Sequence, residues 1–331
     1  MRIEAFSEGK NLDEPEANED RFLVLPGRGF AVIDGVTDRT GHRYDGMLAG
    51  RMASRTVQAA VARFLIDPAE KAADPERLVA QVSAAIRAAY QAHGILDIAR
   101  KDATRRFGAT LALAVEQGPM LRFILVGDSG LRINGGETVI NDTGLDLVTA
   151  SLRQEAYAVV AAAGGTADDQ AKLGKACAFG GAAAFQADMA PWLDAPGLAA
   201  LRDRCLERCR VRFPLVPERD LRLLLDGGIL KGQTHFQNNT ASPLSYAVLD
   251  GFDVPMSLVR VIDRPRAEVR TVELFTDGYF APGATPEVDA WEAAFAEVER
   301  VDPGKIDRYP SVKGTIGRVR ADDRTVVIVS F

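Results

Sequence analysis

Three apolar runs in this chain end on an aspartate followed by a small residue: FAVIDG (30–35), FILVGDSG (123–130) and VELFTDG (272–278). Two further stretches place acids directly before apolar runs. NED (18–20) sets Glu19 and Asp20 ahead of RFLVL, and ADDRTVVIV (321–329) opens on Asp322 and Asp323. Burying an unpartnered carboxylate is costly, so each of these strands must deliver its acid to a turn, to water or to a cation. The runs are short and tight-turn residues separate them. RFLVLPG (21–27) meets GFAVIDG (29–35) across Pro26-Gly27, ATLALAVEQG (109–118) meets LRFILVGDSG (121–130) across Gly118-Pro119, and LRING (131–135) closes on Asn134-Gly135-Gly136. Strands joined this tightly pair antiparallel, because parallel neighbours need a long crossover. Later runs, AEVRTVELFTDG (267–278) and RTVVIVSF (324–331), extend the same pattern.

Helical signals come in blocks between the strands. A first helix is expected from about Met47 to Ile66, where Ala49, Gly50, Ala53 and Ser54 permit close approach to a neighbour. A second begins at the Asp74-Pro75 N-cap signal and runs to about Ala92, with Leu78, Val82, Ala85, Ile86 and Ala89 at helical spacing. VDAWEAAFAEVER (288–300) is a third. Strands in runs and helices in blocks imply an α+β fold with helices covering sheet faces. Residues 150–226 differ. They are alanine-rich and weakly patterned, and are read as a mostly helical insertion or flap within one domain spanning 1–331.

Composition narrows the function classes. The chain has 331 residues and a net charge of -6, which opposes a nucleic-acid binder with its basic stripe. No apolar run reaches the length of a membrane span, and the acidic start lacks a signal-peptide core, so a cytoplasmic protein with no membrane partner is expected. Cys177, Cys205 and Cys209 are too few for a disulfide framework. Cys205 and Cys209 would share one helix face, but no second ligand pair of zinc spacing follows, so packing is the expected role. His42, His93 and His235 are dispersed and are expected on loops or the surface.

One strand-end aspartate is ordinarily a turn cap. Five acidic sites at strand ends mean more if the strands converge, because clustered carboxylates raise one another's pKa values unless cations neutralise them. Magnesium and manganese suit such oxygen-rich sites, and a two-ion site supplies an activated water for phosphoryl chemistry.

The ordered set NED (18–20), FAVIDG (30–35), FGAT (107–110), VGDSG (126–130), LFTDG (274–278) and DDRTVVIV (322–329) resembles the metal-dependent serine/threonine protein phosphatases of type 2C, bacterial members included. The resemblance spans nearly the whole chain. It implies a four-layer αββα sandwich, two antiparallel β-sheets flanked by helix pairs. It implies hydrolysis of phosphoserine and phosphothreonine by a metal-bridging hydroxide, with Asp34 and Asp277 catalytic through metal-bound water. Asp34 would bridge two Mn2+ or Mg2+ ions, the Gly35 carbonyl would bind one, and Asp277 and Asp323 would hold the other, with Asp322 as a substitute for Asp323. Glu19 and Asp20 would act through water, Asp128 would bind a third ion, and Gly108 and Thr110 would be structural. The implied partners are a phosphorylated protein and a cognate kinase in a signalling pair; a monomer is expected.

The chain departs from the family pattern at three places. Val36-Thr37-Asp38 replaces the usual residues after Asp-Gly, leaving His42 as a sequence neighbour that could stand in as acid or simply occupy a loop. Pro15 stands where the family carries a phosphate-gripping arginine, which leaves Lys10, Arg21, Arg39 and Arg43 as phosphate-binding candidates. Arg324 replaces an asparagine. The alternatives are a catalytically inactive phosphatase-fold binding or sensor module and a small-molecule phosphomonoesterase. A haloacid-dehalogenase reading of AVIDGVTD fails, because its motif needs aspartates two apart and a parallel sheet.

Overall fold

The structure is a computed structural model describing residues 1–36, 41–67, 73–184 and 190–331. In chain order the elements are β1 (Arg2–Glu8), β2 (Arg21–Leu25), β3 (Gly29–Gly35), β4 (Arg43–Tyr44), β5 (Met47–Leu48), α1 (Ala49–Ile66), α2 (Pro75–Ala92) and α3 (Leu96–Lys101). Then come β6 (Ala109–Gln117), β7 (Met120–Val126), β8 (Gly130–Ile133) and β9 (Glu137–Ile140), followed by α4 (Leu145–Ala162), α5 (Ala167–Gly180), α6 (Ala195–Arg212) and α7 (Glu218–Phe236). The chain closes with β10 (Arg260–Pro265), β11 (Thr271–Phe275), α8 (Val288–Val301) and β12 (Arg324–Ser330). Two compact units result: Met1–Asp142 with Ala247–Glu297 and Asp322–Phe331, and Thr143–Tyr246 with Val298–Ala321.

The first unit is a β-sandwich, and the fold is α+β. One antiparallel sheet runs β10-β7-β6-β3-β2 and the other β1-β12-β11-β8-β9. The tight-turn reading explains the hairpins: Gly27 takes φ +76° between β2 and β3, and Asn134 and Gly135 both take positive φ between β8 and β9. That pair of positive φ values matches the twist of the flanking strands. Alternation along each strand sorts its residues onto two faces. Phe30 and Val32 of β3, Phe123 and Leu125 of β7, Val272 and Leu274 of β11, and Val327 and Val329 of β12 meet in the core between the sheets. Ala31 and Ile33 face the other way and pack with Val57 and Val61 of α1 and Val82 and Ile86 of α2. On the second sheet, Phe275, Val326 and Ile328 pack against Trp291 and Phe295 of α8.

The helix boundaries follow local chemistry. The Asp74 side chain accepts from Glu76 N at 3.1 Å, an N-cap with Pro75 in the first turn. The first helix begins at Ala49 rather than Met47, because Met47 and Leu48 pair with Arg43 and Tyr44. β1 and β10 gave no sequence signal. Both are edge strands, and charged residues break up their short apolar stretches.

The second unit has its own core, built from Leu152 of α4, Leu173 and Cys177 of α5, Cys205 and Cys209 of α6, and Leu224 of α7. All three cysteines are buried free thiols, and burial, then proximity to Cys205, pushes the Cys177 thiol up to about 12. Among the described residues, no helix is long and apolar enough to cross a membrane.

Candidate metal centre

The acids come together because the face alternation of the sandwich continues past the strand ends. Phe30, Val32 and Asp34 share one face of β3. Val272 and Leu274 lead on that count to Thr276, and Val327 and Val329 lead back through Thr325 to Asp323. The core between the sheets therefore ends in hydroxyls and carboxylates. Thr276 Oγ1 donates to Asp20 Oδ2 at 2.8 Å and accepts from Thr325 N at 2.9 Å, tying NED, TDG and DDRT at one point. Thr110 and Ser129 share a 2.8 Å hydrogen bond between their hydroxyls, which joins the FGAT and GDSG segments.

Glycines let the backbones close. A Cβ on Gly35 would overlap the Gly50 carbonyl at the start of α1 and stand 2.8 Å from the Glu19 carbonyl oxygen. A Cβ on Gly278 would overlap the Asp323 carbonyl. Both Asp-Gly pairs thus need their glycine for close approach, whatever their carbonyls bind.

The electrostatics express crowding. Burial, followed by the charges of Asp277, Asp20, Asp322 and Asp128, raises the Asp34 carboxyl well above its ordinary range. Burial and Asp323 push Asp20 up to about 7, against the pull of its hydrogen bonds from Thr276 and Thr325. Asp20 Oδ1 is buried with no hydrogen-bond partner among the described residues. A buried acid oxygen with that property suits a hard divalent ion, and the donor chemistry fits magnesium or manganese. Among the described residues no three His, Cys, Asp or Glu side chains already close around one point as a ligand set. Carboxylates at such spacing repel until a cation is shared between them.

Lys10 lies inside this cluster. Its Nζ donates to Glu19 Oε2 at 3.0 Å, Asp322 Oδ1 at 3.2 Å and Asp323 Oδ2 at 3.2 Å, and its main-chain N donates to Asp323 Oδ1 at 2.6 Å. Burial works against its charge, but Asp322, Asp323 and Glu19 hold the ammonium pKa above the ordinary lysine value. The sequence offered Lys10 as a phosphate ligand; in the structure its ammonium is on the acids.

Of the other phosphate candidates, Arg21 donates to the Asp20 carbonyl at 2.7 Å, beside the acids. Arg43 is exposed and donates to the Gly46 carbonyl at 3.0 Å. Arg39 lies outside the described residues, as do Thr37 and Asp38. His42 is exposed and packs at a tilt against Tyr44, with ring centroids 4.7 Å apart. Two arginines the sequence reading missed stand near Arg21. Arg51 donates to the Asn18 carbonyl at 3.1 Å, and burial, with the charges of Arg51 and Arg55, lowers the Arg21 pKa. Their signal was available as RMASR (51–55), one helical turn apart on the first helix. Arg324 pairs with Glu292 at 2.7 Å and with Glu8 at 2.8 Å.

No protein-family model and no curated protein matches the chain. Among solved structures it is similar to the Mycobacterium tuberculosis serine/threonine phosphatase PstP/Ppp, at 18% identity and TM-score 0.48, covering 100% of this chain and 98% of that one. It is similar to the serine/threonine phosphatase Stp1 of Staphylococcus aureus at 10% identity and TM-score 0.48, covering 100% and 95%. PppA of Pseudomonas aeruginosa, described as a key regulatory component of T6SS, aligns at 13% identity and TM-score 0.46, covering 100% and 97%. At these identities and scores the likeness carries no functional weight by itself.

Proposed function

We propose that the chain is a metal-dependent protein phosphatase of type 2C, which hydrolyses phosphoserine and phosphothreonine in a phosphorylated protein. One observation carries the reading: Asp34, at the end of an apolar strand, feels the charges of Asp277, Asp20, Asp322 and Asp128. A fold gains nothing from gathering so many carboxylates unless cations offset their repulsion. Asp34, the Gly35 carbonyl, Asp277 and Asp323 would hold two Mn2+ or Mg2+ ions, Glu19 and Asp20 would act through water, and Asp128 would serve a third ion. Bound there, the ions would supply an activated water for attack on phosphorus and would neutralise charge on the phosphoryl oxygens.

The chain's own residues do the rest. Thr276 orients the Asp20 carboxylate through the 2.8 Å hydrogen bond. Arg21 and Arg51, held on neighbouring carbonyls, present guanidinium groups beside the acids, and planar guanidinium recognises phosphate in bidentate fashion. They take the part that Pro15 cannot play. No covalent phosphoenzyme is involved, and the cysteines, buried in the helical core, are dispensable for turnover. The setting that fits is cytoplasmic signalling by a monomer opposite a kinase.

The test is hydrolysis of a phosphopeptide with manganese, with magnesium and after chelation. Asp34→Asn and Asp277→Asn should each abolish manganese-dependent turnover while circular dichroism stays that of the parent; full activity in both variants refutes the assignment. A second reading, a phosphatase-fold module without turnover, is favoured by the Lys10 ammonium already seated on three of the acids. It predicts no hydrolysis of any phosphoester at saturating manganese.

A further inference from the structure

The seat of Lys10 follows from strand register. β1 pairs antiparallel with β12, Glu8 opposite Arg324, and the same register continued beyond both strands brings Lys10 opposite Asp322. The main-chain N–H of Lys10 then holds Asp323 Oδ1 at 2.6 Å, and the side chain turns inward to three carboxylates at 3.0–3.2 Å. The Lys10 side chain is 20% exposed, against 0% for Glu19 and 2% for Asp323. A positive charge therefore already sits against two buried carboxylates of the cluster.

We propose that Lys10 is an intramolecular cation that competes with a divalent ion for the Glu19–Asp322–Asp323 end of the site. This rests on the metal-dependent reading above. Both oxygens of Asp323 accept hydrogen bonds, Oδ1 from Lys10 N and Oδ2 from Glu19 N and Lys10 Nζ, so an ion bound there must displace at least the ammonium. An ammonium and a dication sharing these oxygens repel each other at contact distance. The exit is short, because a lysine stem is flexible and its head is readily hydrated. The main-chain bond to Asp323 can stay in place while the side chain leaves, so the protein need not unfold the segment to load metal. Lys10 thus acts as a positioning residue. It keeps the acids together without metal and sets the metal concentration at which the site fills.

The experiment is calorimetric titration of Mn2+ into the wild-type chain, Lys10→Met and Lys10→Arg, with melting temperatures recorded with and without the ion. Lys10→Met is expected to bind Mn2+ about tenfold tighter at its weakest site, to melt lower than wild type without metal, and to gain more from adding it. Lys10→Arg, which keeps the charge, should stay close to wild type. If Lys10→Met folds only with Mn2+ present, the inference is supported; if it stays unfolded even then, it is overturned. Equal or weaker Mn2+ affinity in Lys10→Met overturns this inference and leaves the metal centre standing. No Mn2+ binding by any of the three overturns both.

Discussion

Gly35 shows how much of the site is backbone. Its missing side chain lets β3, the start of α1 and the Glu19 segment meet, since a Cβ there would overlap the Gly50 carbonyl. Gly35→Ala is therefore expected to cost about 1–3 kcal/mol through overpacking, read as a lower urea midpoint, and to weaken Mn2+ binding; an unchanged midpoint refutes the close-packing argument. Arg51 has a different role. It donates to the Asn18 carbonyl, two residues from the carbonyl that holds Arg21. Arg51→Ala should raise KM for a phosphopeptide about tenfold, the worth of one charge-assisted hydrogen bond, with Mn2+ affinity unchanged. An unaltered KM removes it from substrate binding. Arg21 was legible beside NED; Arg51 and Arg55 stood in view as RMASR, but nothing local in a helix shows which strand end its polar face will meet.

Among the elements, apolar strands were the easiest to read and the edges the hardest. β3, β7 and β12 declare themselves by buried runs, while β1 and β10 interleave charge with apolar residues, as edges must to avoid further pairing. The buried pair of Arg132 and Glu273 was also hidden. The two stand opposite each other in the β8–β11 register, and Trp291 Nε1 donates to Glu273 at 2.8 Å. A charge in an apolar strand reads as surface until its partner, 141 residues away in sequence, is known. In the helical unit, Asp302 organises the loop after α8. Its carboxylate accepts N–H groups of Ile306, Asp307 and Tyr309, each at 3.0 Å. Burial pushes its pKa up, but these three bonds, with Lys305, hold it below the ordinary value. A depressed carboxylate stabilises the fold above its unfolded pKa of about 3.9 and loses that contribution as pH falls through the folded value. The unit should be indifferent to Asp302 protonation near neutrality and weaken below about pH 4, and Asp302→Asn should flatten that acid limb in a pH series of melting curves. An identical limb in the variant assigns it elsewhere.

Across the molecule, the two units differ in what a metal can do for them. Every acid of the centre belongs to the sandwich unit, while the second unit holds an apolar helical core with three buried thiols. An ion that binds only the folded state stabilises it by mass action. At about 100 times its dissociation constant the gain is about 2.7 kcal/mol. Manganese should therefore raise the melting temperature of the sandwich, followed by near-ultraviolet signals of Trp291 and Tyr279, and chelation should reverse it. A melting curve blind to both additions contradicts the metal centre.

By itself the sequence determined the antiparallel pairing, because two- and three-residue turns between apolar runs leave no room for crossovers. It also determined the class of chemistry to look for, because five strand ends carry carboxylates and carboxylates are expensive to bury unpaired. Only the tertiary structure decided which charges meet. Register carried Lys10 to Asp322 and Asp323, alternation turned Asp34 and Thr276 into the end of the core between the sheets, and the glycine contact set Glu19 against the turn after β3. The Lys10 contact joins residues 313 positions apart, and local patterning carries no information about such distances.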